Sequence, residues 1–107
     1  MLKHITHAVA ISLVVFVASV TSLAQSSGAD TYKAKCQMCH GADGMGNTPA
    51  GKAMKARPFN APDVLKDSDT DLTAVIKNGK NKMPAFTGKL TGSQITDVVA
   101  YIHTLQK

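Results

Sequence analysis

The sequence has no tryptophan, only two cysteines, and few other aromatic residues: three phenylalanines and two tyrosines among 107 residues. Two cysteines exclude a multi-bridge disulfide framework and a four-thiolate zinc site. The shortage of aromatic residues limits the core, the more so because Phe16 falls in a segment read below as a leader. No stretch shows the alternation of a half-buried strand, and no internal repeat or second domain is visible. A domain this small with so few large apolar side chains needs a staple.

The N-terminus reads as an export signal. Lys3 supplies the positive start, and Ala8 to Val20 is apolar apart from Ser12 and Ser19. Ser22-Leu23-Ala24 places small residues at −3 and −1 of a cleavage before Gln25. The alternative is an uncleaved membrane anchor, but the apolar stretch is short for a span of about 20 residues. Residues 1–24 are therefore expected to be a signal peptide and residues 25–107 one domain. The expected compartment is the periplasm of a bacterial envelope, with no stable membrane insertion after cleavage. Removing Lys3 leaves 11 Lys and Arg against 7 acidic residues, a net charge of +4. That modest basic excess suits an acidic protein surface as partner. Nucleic acid is not an expected partner there.

Both cysteines lie in Cys36-Gln37-Met38-Cys39-His40. This is the C-x-x-C-H pattern for covalent attachment of a c-type haem. The two thiols add to the vinyl groups on one porphyrin edge, and the histidine that follows offers the iron an axial nitrogen. A redox disulfide would want a strand before the motif, and the flanks show none. A zinc site would want a fourth ligand, and of the other histidines His4 and His7 lie in the leader, leaving His103. A covalently held haem would also serve as the missing staple.

The flanking sequence fits this reading. Gly28, Tyr32 and Cys36 recur every four residues and share one face of a helix expected from about Ala29 through the motif. Gly41 to Gly51, with four glycines, Asp43, Asn47 and Pro49, is a loop. An iron-bound histidine donates its other N–H to an oxygen. The Pro49 carbonyl is a candidate acceptor, and a plain turn proline is the other reading. Lys52 to Arg57 suggests a helical turn. Ser68 to Gly79 reads as a helix with Ser68 as N-cap and Leu72, Val75 and Ile76 buried. Thr91-Gly92-Ser93-Gln94 is a capping box that opens a last helix with Ile95, Val98, Val99, Ile102 and Leu105 on one stripe.

The second axial position decides between electron transfer and chemistry at an open iron. Four methionines follow the leader: Met38, Met45, Met54 and Met83. Met38 sits between the attachment cysteines, and Met45 follows His40 too closely to pass around a porphyrin. Met54 lies in the predicted helical turn. Met83, in a loop between helices and stiffened by Pro84, is the favoured ligand, with Met54 the alternative.

Taken together, the chain resembles class I cytochromes c, and most closely small bacterial cytochromes c and the cytochrome c6 type. The resemblance rests on Gly28, Tyr32 and Cys36-x-x-Cys39-His40, on Asn78-Gly79-Lys80-Asn81-Lys82-Met83-Pro84-Ala85-Phe86, and on Ile95 with Val99-Ala100-Tyr101-Ile102. It implies an all-α cytochrome c fold of three to five helices around one covalent haem c, with the first and last helices crossing at Gly28 and Tyr101. It implies a one-electron carrier, not an enzyme, with His40 and Met83 as axial ligands. It also supports Pro49 as the partner of His40. Lys33, Lys35, Lys80, Lys82 and Lys89 flank the two ligand segments and suit an acidic redox partner. The protein would be a monomer or a subunit of a redox complex. The alternatives are an electron-transfer subunit of an envelope oxidase or dehydrogenase, and a haem enzyme or sensor with an open distal site. No distal His and Arg pair for peroxide chemistry is recognisable, and His103 reads as a surface residue.

Overall fold

A computed structural model describes residues 27–107. The expected leader, with His4, His7 and Phe16, lies outside the described residues. The described residues form six helical segments: α1 over residues 27–35, α2 Gln37–His40, α3 Pro49–Met54, α4 Pro62–Leu65, α5 Asp69–Asn78 and α6 Gly92–Leu105. Among the described residues, extended pairing is limited to two isolated bridges, Lys80 with Met83 and Thr87 with Leu90. The all-α expectation holds.

Local chemistry explains the helix ends. Thr91 accepts the Gln94 N–H at its hydroxyl while the Gln94 side chain accepts the Thr91 N–H, the expected capping box. Ser68 and Asp71 make a second box at the start of α5. Asp69 and Asp71 also place negative charge at the positive end of the α5 dipole. Proline occupies the first position of both α3 and α4, where its missing N–H costs nothing. The proline-bounded α4 was not foreseen, because its four residues are too few for an apolar period to show.

The terminal helices cross as expected. A Cβ on Gly28 would lie 2.2 Å from the Asp97 carbonyl oxygen and 3.1 Å from the Tyr101 Cβ. Only a glycine lets α1 approach α6 this closely. Tyr32 is buried beneath the crossing, its ring 5.2 Å from Tyr101 and 6.2 Å, edge-on, from Phe59. Around it pack Leu72, Ile76, Leu90, Ile95, Val98, Val99 and Ile102. Val75 and Leu105 are half-buried at the margin. Among the helices from α2 onward, α2 packs on α3 and α5 on α6, and neither pair packs on the other. Contact between the two halves runs through α1 on α6, and through the Gly44 to Phe59 region against Leu105. No described helix is long and apolar enough to cross a membrane.

Candidate functional site

Helix α1 delivers the attachment segment. The Cys36 N–H donates to the Tyr32 carbonyl at 2.8 Å, so α1 continues up to the first thiol. One turn, α2, then carries Cys39 and His40. Both cysteines are free thiols and half-buried. Burial, with a smaller push from Cys39, raises the Cys36 thiol to about 11, so it stands as S–H at neutral pH. Cys36 also packs against the apolar core.

His40 is held from one side. Its ring stacks on Phe59, with centroids 4.7 Å apart and planes 23° from parallel. Burial pushes the imidazole below its ordinary pKa, favouring the neutral form that ligates metals. Its Nδ1 is buried and has no hydrogen-bond partner. The expected bond from His40 to the Pro49 carbonyl is therefore not made in this structure. Pro49 is the first residue of α3. Phe59 was not identified from the sequence as a neighbour of His40. An aromatic residue between two prolines gives no periodic signal, and only the fold brings it to the motif.

Tyr32 closes the segment from below. Its hydroxyl donates to the Gly41 carbonyl at 2.6 Å, just past His40. Burial, ahead of nearby acidic groups, raises the phenol well above its ordinary range, so it remains a donor.

Met83 sits on a stiff loop. The Lys80 and Met83 backbones exchange two hydrogen bonds, at 3.2 and 2.9 Å, around Asn81 in the left-handed region (φ 54°). Gly79 ends α5 at φ 76°, and a Cβ there would lie 2.7 Å from the Met83 carbonyl oxygen. The loop is tied back to α5 by Phe86 N–H on the Ile76 carbonyl (2.9 Å) and by the Thr87 hydroxyl on the Lys77 carbonyl (2.7 Å). Met83 and Phe86 are half-buried and pack against the core. Met38 and Met54 are exposed, at 79% and 43%. Among the four methionines, Met83 is thus packed on the core and held by backbone bonds.

The residues present fit a large apolar prosthetic group. Apart from Tyr32, whose hydroxyl is paired with the Gly41 carbonyl, every buried side chain among the described residues is apolar. Two cysteines lie three residues apart, next to a histidine whose burial favours the neutral form. An open depression lined by Asp69, Thr70, Thr73, Thr96 and Val99 lies at the α5–α6 junction, and none of the motif residues lines it. Its threonine and aspartate mouth does not suit such a group.

Arg57 and His103 are committed elsewhere. Arg57 pairs with Asp63 on the surface, and its hydrogen bond holds that carboxyl below the usual range. His103 is at the surface, as expected, but it is not idle. Its Nε2 lies 2.6 Å from Asp69 at the start of α5, and its Nδ1 lies 2.7 Å from Gln106.

Comparison with known proteins agrees with this geometry. The family profile described as "Cytochrome C oxidase, cbb3-type, subunit III" matches residues 23–102. The chain is 38% identical over 94 residues to cytochrome c6 of Nostoc sp. (strain PCC 7120 / SAG 25.82 / UTEX 2576), covering 86% of this chain and 82% of that one. It is 35% identical over 97 residues to cytochrome c6 of Thermosynechococcus vestitus (strain NIES-2133 / IAM M-273 / BP-1), covering 89% and 83%. The solved structure of the c-type cytochrome KustC0563 superposes with a TM-score of 0.68 at 30% identity, covering 75% of this chain and 98% of that one.

Proposed function

The chain belongs to the c-type cytochromes, and on that premise we propose that it carries electrons with His40 and Met83 as the axial ligands of its haem. As a monohaem c-type cytochrome it holds one covalent haem c and works in electron transfer with redox partners. The haem, when bound, supplies a one-electron ferric/ferrous couple. Cys36 and Cys39 would hold the haem covalently through two thioethers. His40, whose burial favours the neutral imidazole and whose ring stacks on Phe59, would hold the iron through a ring nitrogen. Met83 would supply its sulfur as the second ligand, and the bonds of its loop to α5 would hold that side chain in place. With His40 and Met83 both engaged, no position on the iron would be open to a substrate, which supports a carrier rather than an enzyme.

The observation that carries this reading is the contrast among the methionines. Met83 alone joins core packing to a loop fixed by backbone bonds, while Met54 is exposed. Absorption spectra of the ferric and ferrous holoprotein test it. Wild type and Met54→Ala should be low-spin and show the long-wavelength band from sulfur to ferric iron. Met83→Ala should lose that band. A band that survives Met83→Ala would move the ligand to another methionine. A high-spin wild type would turn attention to an open distal site.

The exposed Lys33, Lys35, Lys80, Lys82 and Lys89 are proposed to meet an acidic partner surface in the periplasm. A second reading is favoured by the matched profile, which is named for an oxidase subunit. On that reading the domain passes electrons within a larger envelope complex, and a stable complex on mild solubilisation would support it.

A further inference from the structure

Helix α2 is a single turn, and it ends on carbonyls that need donors. A helix leaves its last carbonyls without intrahelical partners. In α2 the Gln37 carbonyl is met by the Gly41 N–H at 2.9 Å and the His40 carbonyl by the Gly46 N–H at 2.8 Å. Between these lie the carbonyls of Met38 and Cys39. One side chain meets both. The Thr48 hydroxyl donates to the Met38 carbonyl at 2.6 Å and lies 3.1 Å from the Cys39 carbonyl. It has a single hydrogen, so the shorter contact is the main bond and the longer one shares it. The same oxygen accepts the Gly51 N–H at 2.9 Å, capping α3.

A second observation shows how tightly this junction is drawn. A Cβ on Gly51 would lie 2.1 Å from the Cys39 carbonyl oxygen and 2.6 Å from that of Gly46. The α3 backbone therefore seats directly on the residue before His40. His40 follows Cys39 directly, so its ring projects from this junction.

We propose that Thr48 is a positioning residue for the proximal ligand, its hydroxyl clamping the Met38 and Cys39 carbonyls to α3 and so setting the angle at which His40 is presented. It acts through peptide units and does not touch the ligand. The proposal rests on the reading of His40 as ligand. The clamp requires a hydroxyl, so shape alone does not satisfy it: valine keeps the volume and loses the donor, and serine keeps the donor. Gly51→Ala tests the same junction from the other side, by pushing on the Cys39 carbonyl with the hydroxyl intact.

The experiment compares wild-type, Thr48→Val, Thr48→Ser and Gly51→Ala holoproteins. The readouts are the reduction midpoint and the pattern of haem methyl resonances in the ferric protein, both sensitive to the orientation of an axial imidazole. Thr48→Val and Gly51→Ala should displace the methyl pattern and the midpoint from wild type, and Thr48→Ser should restore both. A lowered Tm with midpoint and methyl pattern unmoved in Thr48→Val would make Thr48 a plain helix cap and overturn the proposal. So would a serine variant displaced as far as the valine one. If Thr48→Val yields no holoprotein, an undisplaced Gly51→Ala overturns it. Failure of the ligation reading is distinguishable, because it shows in the wild type itself as a spectrum that is not low-spin.

Discussion

The Gly28 Cα faces the Asp97 carbonyl across the crossing of the terminal helices, so closely that any Cβ would fall within 2.2 Å of that oxygen. A backbone oxygen cannot swing aside as a side chain can. The crossing thus has one sequence requirement that no repacking removes.

Gly28→Ala should destabilise the holoprotein despite the better helix propensity of alanine. Propensity favours alanine by about 1 kcal/mol, and forcing packed elements apart costs about 1–3 kcal/mol. Because the clash here is with backbone, the upper part of that range applies, and a net loss on the order of 1–2 kcal/mol is expected. Urea midpoints of the two proteins measure it, and equal midpoints would show that the helices separate at no cost.

The two capping boxes should be worth measurable stability. Thr91→Ala removes the hydroxyl that accepts the Gln94 N–H, and a loss of about 1 kcal/mol is expected. Ser68→Ala should cost a similar amount at α5. Denaturant titration of each single variant and of the double one would show additive losses if the ends act independently.

His103 should tie stability to pH. Its hydrogen bond to Asp69, then the one to Gln106, raises its pKa above the ordinary value of 6.5. A raised folded pKa gives stability that is fully present below the unfolded value and is lost as pH rises through the folded one. The side chains of His103 and Asp69 are 43% and 75% exposed, so solvent screening limits the pair to a few tenths of a kcal/mol. Comparing wild type with Asp69→Asn at pH 5 and pH 9 should reveal a larger difference at pH 5. The same difference at both ends would count against the linkage.

Electron transfer to an acidic partner should slow with salt. On the proposed docking, the five exposed lysines would attract such a surface through charges that are screened beyond about 10 Å at 0.1 M salt. Second-order rate constants measured across ionic strengths should fall, and more shallowly for Lys80→Gln with Lys82→Gln. A rate indifferent to salt in both proteins would place docking elsewhere.

Much of this architecture was legible because its signals are local. The capping residues of α5 and α6, the four-residue spacing of Gly28, Tyr32 and Cys36, and the attachment motif are each written within a few positions. Val98, Val99 and Ile102 followed from period alone, and they are buried as expected. What was not legible joins distant segments. Phe59 reaches His40, His103 reaches Asp69, and Thr48 reaches Met38 only because loops without periodicity return the chain to the motif. Pro49 shows the limit in the other direction. Its carbonyl was a candidate acceptor and its ring a plain turn signal, and neither reading told that α3 begins at that same proline.

Helix α1 serves both halves of the molecule. Near one end it seats on α6 through Gly28, and at the other it runs on into the cysteines. Thioethers formed at Cys36 and Cys39 therefore restrain the helix on which the C-terminus docks. The attachment apparatus that matures the N-terminal half would by the same act reduce the freedom of the last helix, so protease resistance of residues near the C-terminus becomes a remote gauge of whether attachment has occurred.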